Sequence, residues 1–269
     1  MALRIAVCVK QVPDPDAPAS TFKVDEAAKR VVAPPGTPPV VNGFDLHATE
    51  AALRIKDAHG GAADISVVSI GPAFTMDVIK KPLSMGSDML VLVEDPVLAE
   101  LQAFATVRVL AAALKKAGAF DLILCGRQAS DWDNAHVPLG LAEALQVPCV
   151  TLARRVEVVA AGARVRVERS LSDGYQVVEA SLPAVVSVSN ELGEPRYPTL
   201  RGIMAATRKQ PIKMALAELG ITPADLAPAL RLERLYVPER QRAVELIKGE
   251  DEADSGRKLA VRLREAKLI

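Results

Sequence analysis

Apolar positions along the N-terminal half of the chain alternate between short unbroken runs and helical stripes. Unbroken apolar runs bounded by turn residues are typical of buried strands, and we predict strands at Arg4 to Val9, Asp64 to Ile70, Met89 to Val93 and Asp121 to Cys125. Apolar residues recur at helical spacing from Leu46, at Thr75 to Leu83, at Leu98 to Lys116 and at Val137 to Leu145. Strands that alternate with helices in this way predict an α/β fold, a mostly parallel, doubly wound sheet with helices on both faces.

After Val150 the pattern changes to short strands joined by turns. We predict an antiparallel extension of the same sheet, with strands at Arg155 to Val158, Arg164 to Arg169, Gln176 to Glu179 and Ala184 to Val188. Beyond Ser189 the sequence is mostly polar, apart from a last amphipathic helix at about Asp254 to Leu268. Because this tail has few apolar residues for a core of its own, we expect residues 1–190 to form the α/β domain and residues 191–269 to form an arm that packs on a partner.

Charge and composition narrow the function. The 269-residue chain carries 33 basic and 33 acidic residues and only 3% aromatic residues, a balance that offers neither a field nor a stacking platform for nucleic acid. The N-terminus lacks the pattern of a signal peptide, and no uncharged run approaches the length of a membrane span. We therefore expect a soluble intracellular protein, cytoplasmic or in the matrix of a mitochondrion, that is not secreted, does not insert into a membrane and does not bind nucleic acid.

Cysteine and histidine spacing gives no metal or disulfide signature. The residues concerned are Cys8, Cys125, Cys149, His47, His59 and His136. They share no Cys-x-x-Cys pair and no metal-ligand spacing, so we expect no metal site, and we expect Cys8 and Cys125 to be small buried residues.

Three predicted strands end next to loops, at Cys8, Ile70 and Cys125. In a parallel sheet these ends meet at one edge, where open α/β sheets bind ligands. The two commonest glycine-rich phosphate motifs are absent from the sequence, so a nucleotide at this edge would be held by other means.

The strand that ends at Cys125 continues into the loop Gly126 to Asp131, which precedes a helix predicted to begin near His136. Glycine allows a close approach of ligand to backbone, and the amides of Ala135, His136 and Val137 at a helix start suit a phosphate. The alternative is an ordinary strand-to-helix connection capped by Asp133 or Asn134.

A catalytic set is not evident in the sequence. Near the loop, Asp131, Asp133 and His136 are the groups available for acid–base work, and an adenine-nucleotide hydrolase or transferase would need them. We predict no catalytic residue and expect binding rather than turnover.

Several motifs occur in one order over nearly the whole chain up to about Lys213. They are Val7 to Lys10, Asn42 to Asp45, Ser69 to Pro72, Met85 to Asp88, Gly126 to Ala129, Val167 to Arg169 with Asp173 to Val178 and Leu182 to Ser187, and Glu194 to Leu200 with Ile203 and Met204. Together they resemble the β (small) subunit family of the electron transfer flavoproteins. Ser172 and Ser187 depart from the usual signature, where an acidic residue and threonine, alanine or cysteine are usual.

The resemblance implies a Rossmann-like, adenine-nucleotide-binding fold in an αβ heterodimer. In that family the α subunit makes most contacts to a redox-active FAD and the β subunit binds AMP. The carrier passes electrons from an acyl-CoA or related dehydrogenase to a quinone oxidoreductase or other acceptor. The family's nucleotide contacts fall on Cys8, Asn42, Gly43, Phe44, Asp45, Ile70, Gly126, Arg127, Gln128, Ala129, Ser130, Asp131, Trp132, Asp133, Asn134, Ala135, His136 and Val137, and its partner contacts fall on Tyr197, Leu200, Ile203 and Met204.

The family also has an electron-bifurcating branch, in which the β subunit holds a second FAD at the AMP position. The segment Lys10 to Asp14 and the Asn42-x-x-Asp45 spacing favour that branch, whereas Val93 to Pro96 opposes it. Many members have Gln-Val/Thr-Gly where this chain has His136-Val137-Pro138, and a proline supplies no amide to a phosphate. AMP is the expected ligand and FAD the alternative.

Overall fold

The computed structural model describes residues 2–32, 36–159, 163–238 and 244–269. The strands are β1 (Leu3–Cys8), β2 (Gln11–Val12), β3 (Lys23–Asp25), β4 (Arg30–Val32), β5 (Val40–Val41), β6 (Ala63–Gly71), β7 (Met89–Glu94), β8 (Leu122–Gly126), β9 (Cys149–Val159), β10 (Arg164–Leu171), β11 (Gly174–Ser181), β12 (Ala184–Val188) and β13 (Ile212–Met214). The α-helices are α1 (Gly43–Ala58), α2 (Met76–Ile79), α3 (Lys81–Met85), α4 (Ala103–Ala117), α5 (Val137–Leu145), α6 (Leu200–Arg208) and α7 (Glu252–Glu265).

Nine strands of the described chain form one sheet in the order β11-β10-β9-β12-β8-β1-β6-β7-β13. Neighbours from β9 to β13 in this order are parallel, whereas β10 runs antiparallel to both β9 and β11. The predicted fold class, a mostly parallel sheet with an antiparallel extension, is confirmed.

The two faces of the central strands are covered by different helices. Along β1, Ile5 and Val7 join a core cluster with residues of α1, and the alternate residues Ala6 and Cys8 join a second cluster with residues of α4 and α5. Successive side chains of a strand point to opposite faces, so an unbroken apolar run marks a strand buried on both sides. This packing makes the sheet doubly wound, and it explains why the apolar runs were readable in the sequence.

Some element boundaries differ from the prediction. The helix predicted at Thr75 to Leu83 is two short helices, because Pro82 in the first turn of α3 lacks an amide to donate to the preceding turn. The helix predicted from Leu98 begins at Ala103, after a 3₁₀ helix over Pro96–Glu100. Helix α6 and strand β13 were not predicted.

The chain divides into two compact units. One unit comprises Met1–Lys23 and Val31–Glu233, and contains the large sheet. The other comprises Val24–Arg30 and Arg234–Ile269, and contains α7, none of whose residues is buried. The boundary predicted near residue 190 concerns which residues pack on a partner, and it remains a prediction. Within the described ranges, no helix has the length and apolar character of a membrane span.

Helices α4 and α5 touch through a glycine. A Cβ atom added at Gly140 would lie 2.6 Å from Cγ2 of the buried Val107. We expect Gly140→Ala to lower the free energy of unfolding by about 1–3 kcal/mol, because the overpacked helices must move apart. Denaturant unfolding measures this change. At Gly256 in α7 no described atom lies within 4 Å of an added Cβ, so Gly256→Ala is the matched control, and equal losses in both variants would contradict the close-contact explanation.

Candidate functional site

The carboxyl ends of β8, β1 and β6 lie side by side, since these strands are neighbours in the sheet. Cys8 is level with Cys125 on one side and with Val68 on the other. The predicted clustering of the strand ends at Cys8, Ile70 and Cys125 is therefore confirmed. Cys8 and Cys125 are buried, as expected, and both are free thiols. The neighbouring Cys8 thiol and burial raise the pKa of Cys125 well above its usual range, which keeps it protonated.

Asn42 joins the start of α1 to the loop that follows β8. Its side-chain Nδ2 donates to the backbone oxygen of Gln128 at 2.8 Å, and its Oδ1 accepts from the amide of Ser130 at 3.2 Å. The Asn42 side chain is 1% exposed. A buried amide with both ends bonded to one loop fixes that loop against the helix.

Asp45 makes a second connection, one turn further along α1. Its Oδ2 accepts from the amide of Lys10 at 2.7 Å, and its Oδ1 accepts from the amide of Gly126 at 3.1 Å. Burial raises the pKa of Asp45 to about 7, although these two hydrogen bonds act in the opposite direction. The carboxyl group therefore ties together the ends of β1 and β8 and the first turn of α1.

Glycine is required at position 126 by this contact. A Cβ atom there would lie 2.4 Å from Oδ1 of Asp45 and 2.7 Å from the carbonyl carbon of Phe44. Any larger residue would push the loop away from the helix start. The glycine of the loop thus has a packing reason that sequence spacing alone does not reveal.

The loop itself carries a network of polar contacts and two strained residues. Lys10 Nζ pairs with Asp131 Oδ2 at 2.6 Å, and Gln128 Nε2 donates to Asp133 Oδ1 at 2.8 Å. Asp133 and Ala135 have φ angles of +51° and +54°, in the left-handed region. For alanine this conformation costs on the order of 1–2 kcal/mol, and such strain is concentrated at functional sites.

Helix α5 starts at Val137 with His136 in the cap position, and within the described chain the His136 side chain makes no cap hydrogen bond. The alternative of a cap by Asp133 or Asn134 is therefore wrong. The amides of His136 and Val137 find no acceptor among the described residues. Pro138 in the first turn supplies no amide, so His136 and Val137 carry the N–H groups that precede it at the helix start.

Two buried polar atoms in the loop also have unused hydrogen-bonding capacity. Ser130 Oγ and Asp131 Oδ1 are buried and have no hydrogen-bond partner among the described residues. Native proteins satisfy almost all buried polar atoms. Together with the amides at the start of α5, these atoms offer donors and acceptors that suit the phosphate and ribose of a nucleotide.

Most residues of the predicted nucleotide site thus lie together at the carboxyl edge of the sheet. Besides the strand ends, they come from two segments of the chain, Asn42 to Asp45 and Gly126 to Val137. The Arg127 guanidinium lies over the Phe44 ring at 5.2 Å, and Trp132 is 53% exposed at the outer side of the loop. Lys10 was not among the predicted site residues, although it contributes both its amide and its ammonium group. Its signal in the sequence was a cation directly after the first buried strand.

The predicted partner residues lie elsewhere, around α6. Tyr197 is 91% exposed and Leu200 is 76% exposed, so neither is packed on its own helix. Leu200, Ile203 and Met204 are spaced to lie on one face of α6, and all three count as exposed. Thr199 caps this helix by accepting from the amide of Gly202 at 3.0 Å.

Both acidic side chains of the loop are engaged by neighbouring side chains, so neither is arranged for proton transfer. Asp131 is paired with Lys10 and Asp133 accepts from Gln128. In the part of the chain that is described, no group of three or more His, Cys, Asp or Glu side chains is arranged to hold a metal ion.

An open α/β sheet with a loop and a helix start at its carboxyl edge is the arrangement in which α/β proteins bind ligands. The family model of the electron transfer flavoprotein domain matches residues 30–219. The electron transfer flavoprotein subunit beta of Megasphaera elsdenii is 36% identical over 259 residues, which cover 93% of each chain. That of Thermoanaerobacterium thermosaccharolyticum is 36% identical over 216 residues, 80% of this chain and 79% of the relative.

A further relative is the Caffeyl-CoA reductase-Etf complex subunit CarD of Acetobacterium woodii. It is 33% identical over 271 residues, 99% of this chain and 100% of the relative. The chain belongs to the electron transfer flavoprotein family, among its β subunits. The resemblance found in the sequence motifs is confirmed.

Asp45 gives the site a testable pH dependence. Asparagine would turn an NH₂ group toward the Lys10 or Gly126 amide, so we expect Asp45→Asn to lower the free energy of unfolding by about 1–3 kcal/mol. Because the folded-state pKa of about 7 lies above the unfolded value of 3.8, the folded protein retains a proton that the unfolded chain has lost. The stability contributed by Asp45 therefore declines as the pH rises through this window.

Denaturant titrations of wild type and Asp45→Asn at about pH 5 and about pH 8 measure both effects. The difference between the two proteins is expected to be larger at the lower pH. A difference that stayed the same at both pH values would show that the carboxyl group is held ionised in the fold.

Proposed function

We propose that this chain is the β subunit of an electron carrier that pairs with an α subunit. The heterodimer passes electrons from an acyl-CoA or related dehydrogenase to a quinone oxidoreductase or another acceptor. FAD, held mainly by the α subunit, supplies the redox chemistry when bound. The β subunit holds AMP as a structural ligand, in the cytoplasm or the mitochondrial matrix. The observation that carries this proposal is the loop Gly126 to Val137, fixed at the carboxyl edge of the sheet by Asn42 and Asp45.

The donors and acceptors of the loop support a nucleotide ligand. The amides of His136 and Val137 suit a phosphate at the start of α5. Ser130 Oγ and Asp131 Oδ1 are buried polar atoms without partners among the described residues, and they suit ribose or phosphate oxygens and hydroxyls. AMP would therefore be held by polar contacts along one loop, with Cys8, Phe44 and Ile70 beside it.

The exposed face of α6 supports the docking part of the proposal. Leu200, Ile203 and Met204 form an apolar strip next to Tyr197. Large apolar side chains that protrude together from a surface are the usual anchors of protein interfaces. We assign Leu200 as the anchor that enters the dehydrogenase, and residues 191–269 as the region that packs on partners.

Two other functions remain as outcomes of the tests. The first is an electron-bifurcating β subunit that holds a second FAD in place of AMP. Lys10, Asn42 and Asp45, which belong to the sequence motifs that favour this branch, contact one another and the loop. An adenine-nucleotide hydrolase or transferase would rely on Asp131, Asp133 and His136, and ATP turnover by the purified heterodimer would favour it over the carrier.

Cofactor extraction separates these functions. We expect the heterodimer, co-expressed from its two genes and then denatured, to release about one FAD and one AMP, because the β site takes a single nucleotide. Chromatography with absorbance detection measures the ratio. About two FAD per heterodimer would replace AMP with a second flavin, and no adenine nucleotide beyond the first FAD would reject the β site.

The docking surface is tested by Leu200→Ala in the heterodimer. We expect the apparent KM for the acyl-CoA dehydrogenase that reduces the wild-type heterodimer to rise about thirtyfold, as for the loss of a hot-spot residue worth about 2 kcal/mol. Steady-state flavin reduction measures it. Leu230, which is 68% exposed, gives the matched control Leu230→Ala, and an unchanged KM in Leu200→Ala would reject the anchor assignment.

A further inference from the structure

The segment that leads into α6 is held by a buried carboxylate on α1. Glu50 lies on the second turn of α1, and its side chain is only 5% exposed. It accepts four hydrogen bonds: from the Arg196 amide at 3.1 Å, from Arg196 Nε at 2.8 Å and Nη2 at 3.2 Å, and from Arg54 Nε at 2.9 Å. Both the backbone and the side chain of Arg196 are thus bound to one acid.

The charges in this cluster reinforce each other. Burial alone would raise the pKa of Glu50, but the hydrogen bonds from Arg196 and Arg54 lower it below its usual value. The bond to Glu50 in turn raises the pKa of Arg196. Arg54 also donates to the backbone oxygen of Leu192 at 2.9 Å, which fixes the chain just before the segment. A bidentate pair formed on a buried carboxylate is geometrically specific, unlike an ion pair between two exposed side chains.

Two prolines restrict the backbone between Arg196 and Leu200, so that holding Arg196 also holds Leu200. Arg196 and Tyr197 lie between Pro195 and Pro198. Proline locks its own φ angle and keeps the preceding residue extended, so little freedom remains between Arg196 and the helix cap at Thr199. Leu200 follows as the first residue of α6.

The remainder of α6 is held by other contacts. A Cβ added at Gly202 would lie 2.3 Å from the backbone oxygen of Ser84, so α6 rests closely on α3. Past the end of α6, Lys209 Nζ donates to the backbone oxygens of Ser87 and Asp88, both at 2.9 Å. Two contacts therefore fix the middle and the end of the helix. On its N-terminal side the segment is fixed through Arg196, which binds the buried Glu50 and whose Nη2 also donates to the exposed Asp57 Oδ2 at 2.8 Å.

We propose that Glu50 is a positioning residue for partner docking: through Arg196 it holds Tyr197 and Leu200 in the conformation that the electron-donating dehydrogenase binds. This inference rests on the proposed function of the α6 surface. Glu50 itself touches neither partner nor cofactor in this role. Its effect is to keep the docking-competent conformation populated, which sets the apparent affinity of the partner.

The test compares Glu50→Gln with wild type in the intact heterodimer. Glutamine keeps the shape of the side chain but loses the charge and turns an NH₂ group toward the arginines. Hydrogen exchange of the peptide spanning residues 194–203 should become at least about tenfold faster, because glutamine keeps only one acceptor oxygen for the four hydrogen bonds that Glu50 accepts from Arg196 and Arg54. The apparent KM for the acyl-CoA dehydrogenase should rise about tenfold with kcat and AMP content unchanged, as for a docking-competent fraction reduced to about one tenth.

Two further variants make the result specific. Arg196→Met removes the guanidinium from the other side and should produce the same changes, and the double variant should be no worse than either single one. Glu157→Gln breaks the exposed pair of Glu157 with Arg155, which lies on β9, and should change neither exchange nor KM.

Each outcome is decisive. Exchange at residues 194–203 that stays at the wild-type rate in Glu50→Gln and Arg196→Met would overturn the positioning role. Faster exchange with an unchanged KM, while Leu200→Ala raises KM, would also overturn it. If Leu200→Ala itself leaves KM unchanged, the docking role of α6 fails, and the exchange data still decide whether Glu50 holds the segment.

Discussion

The carboxyl group of Asp45 lies beneath the candidate nucleotide loop, where three chain segments meet. It accepts the amide of Lys10 at the end of β1 and the amide of Gly126 at the end of β8, while its own backbone forms the first turn of α1. Asp45 is only 6% exposed, so each of the two N–H groups depends on the carboxyl group for its hydrogen bond. The geometry of the site follows from that constraint, because the loop can leave β8 in one direction only.

Helix α1 carries the two acids on which both surfaces of the proposed function depend. At the start of α1, Asn42 and Asp45 fix the candidate nucleotide loop. On the second turn of α1, Glu50 fixes the segment that precedes α6. A helix packed against the sheet along its length behaves as a rigid body. The candidate nucleotide loop and the proposed docking segment are therefore both positioned by the same helix, although they lie far apart in the sequence.

The architecture could be predicted from the sequence because both faces of β1, β6, β8 and β12 are buried. A strand buried on both faces appears in the sequence as an unbroken apolar run. The location of the site could be predicted from the same runs, since it follows from where parallel strands end. The resemblance to a family added the candidate residues of the loop and of α6. Helix α6 itself was not predicted. Only Ala206 in it is buried, so α6 lacks the stripe of core residues by which the other helices were predicted, and its apolar face is exposed to solvent.

Contacts between residues far apart in the chain could not be predicted from the sequence, for a different reason. Asn42 bonds to Gln128, and Glu50 bonds to Arg196, 146 positions away. Nothing in local spacing couples such residues, because their proximity arises only when β1, β8 and α1 have been assembled. The same applies to Gly126, whose need for hydrogen in place of a side chain depends on the approach of Phe44 and Asp45.

The two acids of α1 illustrate how identical chemistry is adapted to different tasks. Glu50 accepts hydrogen bonds from two guanidinium groups, which lower its pKa and favour its ionised form. Asp45 is bonded to neutral amides, and burial raises its pKa to about 7, so it loses much of its negative charge near neutral pH. In the proposed function, an anionic phosphate held by the loop would meet less repulsion from Asp45 than from a fully ionised carboxylate. A carboxylate kept ionised by arginines suits the fixed ion pair proposed to hold the docking segment, whereas a carboxyl group of raised pKa suits the anion proposed to bind at the loop.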